Sequence, residues 1–182
     1  MASVKPDKEP HIGFVPEHKL CTACGTCAGV CPSGAIAILP DAYGGLAPRV
    51  NPELCTRCRL CVRACPGWGF NYAELNRRVH GGMPADAALG HYRSTWAGYA
   101  EDPAQRAASQ SGGIITTLLI HLLNAGAIDG AVVTRTHPTD PLQTDTFIAR
   151  TASRIREAVG SKYQPAAAAA ILPELRKQPG RY

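Results

Sequence analysis

CTACGTCAGVCP, residues 21–32, returns as CTRCRLCVRACP, residues 55–66. Both blocks read C-x2-C-x2-C-x3-C-P, and Cys21 recurs as Cys55, a shift of 34 positions. All eight cysteines of the chain fall in these blocks: Cys21, Cys24, Cys27 and Cys31, then Cys55, Cys58, Cys61 and Cys65. The spacing has a chemical reason. Three cysteines separated by two residues let a tight loop wrap three corners of an iron-sulfur cubane. The fourth, three residues further on, starts a short helix that points away. Its sulfur then reaches a different cluster, and the following proline closes the loop.

This is the spacing of bacterial two-cluster ferredoxins, and it implies crossed ligation. Cys21, Cys24 and Cys27 are expected on cluster one with Cys65 as fourth ligand. Cys55, Cys58 and Cys61 are expected on cluster two with Cys31 as fourth. Loss of either fourth ligand should then damage both clusters. Zinc normally joins two CxxC knuckles across a longer gap, and a disulfide framework belongs to small secreted chains, so neither suits the pattern. Between the blocks, residues 35–39 and 47–50 predict a hairpin that turns at Gly44 and Gly45. Arg57, Arg59 and Arg63 crowd the second block where the first has Ala23, Gly25 and Gly29. They read as a docking face for an acidic partner, as a field that raises the potential of cluster two, or as solvated surface. Trp68, Phe70 and Tyr72 follow and are expected to shield the clusters from water.

The chain has 182 residues, 45% of them hydrophobic, and a formal charge of +5 with the cysteines counted neutral. Two thiolate-bound clusters would offset most of that positive balance. With no stripe of interleaved aromatic and basic residues, nucleic acid is not expected as a partner. Thr116, Thr117 and His121 interrupt the longest apolar run, so no transmembrane helix is expected. Residues 1–14 lack an apolar h-region and a small-residue cleavage site, so no secretory signal is expected, and the compartment expected is the cytoplasm.

The expected organisation is an N-terminal tail at 1–17, a cluster-binding unit at 18–75, a linker at 76–107 and a further unit at 108–182. In the last of these, ASQSGGIITTLLIHLL (residues 108–123) places Ile114, Ile115, Leu118, Leu119, Leu122 and Leu123 at helical spacing. Ser109 or Ser111 is the expected N-cap, and Asn124 with Gly126 the expected end. Residues 131–135 and 146–150 predict two short strands. Thr151 or Ser153 should cap a helix that runs to Val159, and a helix over 166–177 should kink at Pro173. Ser111-Gly112-Gly113 reads either as a tight helix start or as an anion-binding helix N-terminus. Gly160-Ser161-Lys162-Tyr163 reads either as a helix C-cap followed by surface or as an anion-holding loop.

Taken with the cysteine blocks, the stretches SQSGGIITTLLIHLLNAGAIDGAVVT and TASRIREAVGSKY resemble the coenzyme F420 hydrogenase/dehydrogenase beta-subunit family. Gly126, Ile128, Asp129 and Gly130 fill its G-x-I-D-G turn, and residues 160–163 fill its GSKY loop. The resemblance implies an α+β fold: an N-terminal two-cluster ferredoxin-like domain followed by a partial α/β flavin-binding domain. Family members usually continue further, through another strand and a glycine-proline-cysteine motif, so a C-terminally truncated domain is expected. The resemblance also implies an iron-sulfur flavoprotein oxidoreductase subunit with two [4Fe-4S] clusters and FAD, in which hydride exchange at flavin is coupled to one-electron transfer. Some members exchange hydride with coenzyme F420, and many work beside redox partner proteins or other subunits. It carries flavin contact onto Ser111, Gly112, Gly113, Gly160, Ser161, Lys162 and Tyr163. Two rival readings are a ferredoxin-type electron-transfer module without flavin chemistry and a structural or regulatory iron-sulfur protein.

Overall fold

The structure is a computed structural model that describes residues 11–42 and 44–182. The first ten positions of the expected tail lie outside it. The remainder of that tail is not a tail. Residues Phe14–Glu17 form a short helix, α1, and Ile12 and Val15 are 2% exposed, packed with Cys27 and Ile36. The apolar trio Ile12, Phe14 and Val15 explains this: burying it against the cysteine loops covers a face that the small unit could not otherwise close.

After the first cysteine loop comes α2, Thr26–Gly29, then strands β1, Ile36–Pro40, and β2, Leu46–Val50. The strands pair antiparallel with Ile36 opposite Val50 and Pro40 opposite Leu46. The turn is held by Asp41, whose Oδ1 accepts from Gly45 N at 2.8 Å. The second cysteine loop leads into α3, Leu60–Arg63. Half-buried Cys21, Cys31, Cys61, Cys65 and Trp68 pack around the Ile12–Val15–Cys27–Ile36 core, so the thiols themselves form much of it. Trp68 meets Phe14 edge-on at 4.7 Å. Phe70 and Tyr72 are exposed, so of the three expected shielding aromatics only Trp68 packs on the cysteine core.

Helix α4, Tyr72–His80, crosses the expected boundary at 75 because Asn71 caps it through Glu74 N at 2.9 Å and Gly81 ends it at φ 80°. The segment that follows has no regular element until α5, Pro103–Ala108, whose Asp102 cap accepts from Ala104 N. Trp96 is 90% exposed and donates only locally, from Nε1 to Ser94 Oγ at 2.9 Å, and Tyr92 and Tyr99 are likewise exposed. The end of the segment is pinned where Ala100 N donates to Gly112 O at 2.7 Å.

A 3-10 turn, Ser111–Gly113, opens α6, Ile114–Asn124. Neither Ser109 nor Ser111 caps it. Gly113 is the N-cap, and no side chain caps the amides of the helix start. The Ser109 hydroxyl instead donates back to Gln105 O at 2.7 Å. Strands β3, Ala131–Thr136, and β4, Thr144–Ala149, pair antiparallel, with Ala131 opposite Ala149. Helix α7, Ala152–Arg156, is capped by Thr151 and stops short of Val159. The second core joins Ala131, Val133, Ala149 and Ile155 to Leu119, Ile120 and Leu123. The apolar face of α6 is therefore split: Leu119 and Leu123 point inward, while Ile115, Leu118 and Leu122 are exposed. The described strands form two separate antiparallel hairpins, which makes the whole α+β. The chain ends in a 3-10 turn, Ala168–Ile171, and α8, Leu172–Leu175, where Pro173 sits in the first turn and starts the helix rather than kinking it.

Candidate metal centres and cofactor loops

Each cysteine loop uses two left-handed residues. In loop one they are Ala23 (φ 58°) and Gly25 (φ 80°), and in loop two their repeats are Arg57 (φ 56°) and Arg59 (φ 62°). Left-handed residues set between right-handed ones turn successive backbone amides toward one centre, the concavity that anionic iron-sulfur groups occupy. In loop one the amides and hydroxyls reach sulfur directly. Ala23 N donates to Cys21 Sγ at 3.4 Å, and Ala35 N to Cys31 Sγ at 3.3 Å. Thr26 Oγ1 lies 3.3 Å from Cys24 Sγ and Ser33 Oγ 3.7 Å from Cys31 Sγ. The cysteine spacing alone does not mark these two hydroxyls, although each stands two residues after a cysteine.

The thiols come together in a crossed way. Burial pushes the Cys27 thiol up to about 11, and the like charges that add to this are Cys24, Cys21 and Cys65. Burial also raises Cys61, with Cys31 and Cys58 as the neighbouring thiols. Burial would raise Cys24 too, but hydrogen bonds led by that of Thr26 bring it below its ordinary value. A small cavity of about 20 Å3 is lined by Cys21, Cys24, Cys27 and Cys65. A more open cavity of about 390 Å3 is lined by Cys55 and Cys61 with Arg57 and Arg59. None of the eight cysteines is disulfide-bonded. Among the described residues no three His, Cys, Asp or Glu side chains converge tightly enough for one metal ion. Thiolates at the corners of a cubane stand farther apart than those of a single tetrahedral Zn2+ at about 2.3 Å. A raised thiol fits a cluster because the metal's own charge supplies the deprotonation that burial opposes.

The two loops named for flavin contact lie side by side. Ser161 N donates to Gln110 Oε1 at 2.8 Å, which brings Ser161 against the residue before Ser111. Gln110 had not been singled out in the sequence. Ser111, Gly112 and Gly113 all have positive φ, at 53°, 76° and 74°. Both glycines answer to the protein's own packing: a Cβ on Gly112 would stand 3.1 Å from Gly98 O, and one on Gly113 2.9 Å from Ser109 Oγ. Lys162 Nζ folds back to donate to the carbonyls of Gly160 (2.8 Å), Val159 (3.2 Å) and Ala158, closing the end of α7. Burial lowers its pKa. Tyr163 is 89% exposed. A cleft of about 760 Å3 opens between the two hairpins, and neither flavin loop lines it.

Residues 20–67 match the family model of the 4Fe-4S dicluster domain. Residues 95–173 match that of coenzyme F420 hydrogenase/dehydrogenase, beta subunit N-term. A chain of the F420-reducing [NiFe] hydrogenase complex from Methanosarcina barkeri, solved in a xenon derivative, is similar at 29% identity and a TM-score of 0.41. That match covers 43% of this chain and 27% of the hydrogenase chain. No curated protein matches. The chain thus joins an iron-sulfur dicluster module to a beta-subunit N-terminal segment, and no described helix is long and apolar enough to cross a membrane.

Proposed function

We propose that this chain is a cytoplasmic iron-sulfur flavoprotein component of an oxidoreductase complex, with coenzyme F420 as the hydride partner. Cys21, Cys24, Cys27 and Cys65 would hold one [4Fe-4S] cluster, and Cys55, Cys58, Cys61 and Cys31 the other. FAD would lie at Ser111, Gly112, Gly113 and Gly160, Ser161, Lys162, Tyr163, where the start of α6, its amides capped by no side chain, offers them to a phosphate. When bound, flavin supplies two-electron exchange and the clusters one-electron exchange.

The observation that carries the reading is a continuous run of backbone. Ser161 is bonded to Gln110 beside the glycine pair, and the chain then runs from residue 163 straight into residues 166–172. There Ala169 N donates to Cys24 O at 3.0 Å. The proposed flavin loops and the first cysteine loop are thereby tied by about ten residues of one segment. In this arrangement the beta-subunit residues position, the cysteine loops hold, and Trp68 and Phe14 cover the buried side of the thiols.

A second reading, an electron-transfer module without flavin, draws on the packing of Gly112 and Gly113 and on the three carbonyls that occupy Lys162. One anaerobic purification with iron, sulfide and extracted-flavin assays separates the two. About eight irons per chain with near-stoichiometric FAD is the expected result; about eight irons without FAD leaves the second reading standing. Lys162→Ala is expected to lower FAD per chain at unchanged iron, and full FAD occupancy in that variant would remove Lys162 from the site.

A further inference from the structure

The two cysteine loops are repeats, yet one surface of each meets a different fate. On loop one this surface is covered. A Cβ on Gly25 would stand 2.7 Å from Ala167 O, and one on Gly29 would stand 2.1 Å from Ala169 O. The turn Ala168–Ile171 and the start of α8 lie directly on these glycines. Positions 25 and 29 recur as 59 and 63, and position 23 as 57. In loop two these are Arg59, Arg63 and Arg57, all exposed, and the ligand candidate between them, Cys58, is exposed as well. Where loop one is sealed by the chain's own segment, loop two turns the same surface outward and studs it with guanidinium groups. Glu74, which borders the same depression as Arg63, is engaged with Arg77 at 3.0 Å.

We propose that the face carrying Arg57 and Arg63 is the docking surface for an acidic one-electron carrier protein, which exchanges its electron with the cluster held by the second loop. The inference rests on the cluster half of the proposed function and needs no flavin. At Arg57, φ 56°, backbone preference does not account for arginine, because a left-handed non-glycine residue costs about 1–2 kcal/mol and glycine would relieve it. Nor does the interior, since none of the three is buried. What Arg57 and Arg63, exposed cations on either side of an exposed ligand, do is attract an acidic surface and orient it with its redox centre toward Cys58. The step is simple in balance: one electron leaves the reduced cluster and arrives at the oxidised centre of the carrier, with no bond made and no proton moved. The reverse transfer uses the same contact.

The probe is an acidic plant-type [2Fe-2S] ferredoxin, with basic cytochrome c as the control. The full chain is purified anaerobically, and iron content and the reduced-cluster EPR spectrum are recorded for every sample. Equilibrium binding is measured with both proteins oxidised, and electron transfer by stopped flow after dithionite reduction. Binding that weakens with salt, and a second-order rate constant that falls tenfold or more in R57Q/R63Q at unchanged iron and EPR, is the expected result. R57K/R63K keeps the charge and should keep most of the rate. Unchanged binding and rate in R57Q/R63Q overturn the proposal, as does equal binding of cytochrome c. Samples without iron or EPR signal instead sink the cluster reading beneath it, which keeps the two failures apart.

Discussion

The two cysteine loops repeat one sequence pattern and one backbone, and differ in what covers them. Each has left-handed residues at its second and fourth inner positions, Ala23 and Gly25 in loop one, Arg57 and Arg59 in loop two. Each delivers thiols toward the other half of the repeat. Yet Cys27 is buried beside a void of about 20 Å3, while Cys58 is exposed and the cavity at loop two is about 390 Å3. The backbone is set by the chemistry of holding a cubane, which both loops share. The side chains between the cysteines are set by what lies above them. Small residues at 25 and 29 admit another backbone, and arginines at 59 and 63 keep one away.

The largest test of this contrast exchanges a ligand in each loop. Cys24→Ser and Cys58→Ser should each lose about four irons per chain. Only Cys24→Ser should also loosen the C-terminal segment, because Cys24 O accepts from Ala169 N. Limited proteolysis at residues 166–172 reads that difference; equal protection in both variants would mean that the seam does not depend on loop one. The next effect is steric. Gly29→Ala forces a methyl against a backbone oxygen at 2.1 Å and should destabilise the chain by about 1–3 kcal/mol. Arg63→Ala, at the repeat position, should change stability by no more than about 0.5 kcal/mol. Denaturant melts of the holo chain compare them. A Gly29→Ala variant as stable as the parent would show that the segment is not seated on the loop.

How much of this was legible in the sequence follows from the range over which each feature acts. The cysteine repeat and the β1–β2 hairpin are encoded within about 45 residues by spacing and turn chemistry, and the structure keeps the hairpin nearly to the residue. The helix ends were less legible. Ser109 looks like a cap, but its hydroxyl is taken by Gln105 O, and the tertiary contact Ala100 N to Gly112 O selects a glycine start instead. The expected tail hid a core, because Ile12 and Val15 are short of any periodic pattern and gain meaning only against cysteines further along. The seam was not legible at all. Residues 166–170 are five alanines in a row save for nothing but their length, and only their partners, two glycines some 140 residues earlier, show that both sides are small so that two backbones can meet. The loops at 111–113 and 160–163 stand between these cases: their adjacency rests on Gln110, a residue that no local pattern marks.

The smallest effect isolates the shared backbone from the differing surface. Arg57 holds φ at 56° on the surface of loop two. Arg57→Gly removes the left-handed penalty of about 1–2 kcal/mol and adds the conformational freedom of glycine to the unfolded chain, which returns about 0.5–1 kcal/mol. The net expectation is a gain in stability of up to about 1.5 kcal/mol, read as a rise in the denaturation midpoint at unchanged iron content. Ala23→Gly, at the repeat position and φ 58°, should give a gain of similar size, since the strain belongs to the backbone and not to the guanidinium. A loss in Arg57→Gly beside a gain in Ala23→Gly would mean that the arginine side chain stabilises its own loop, which would weaken the case that it is held there for a partner.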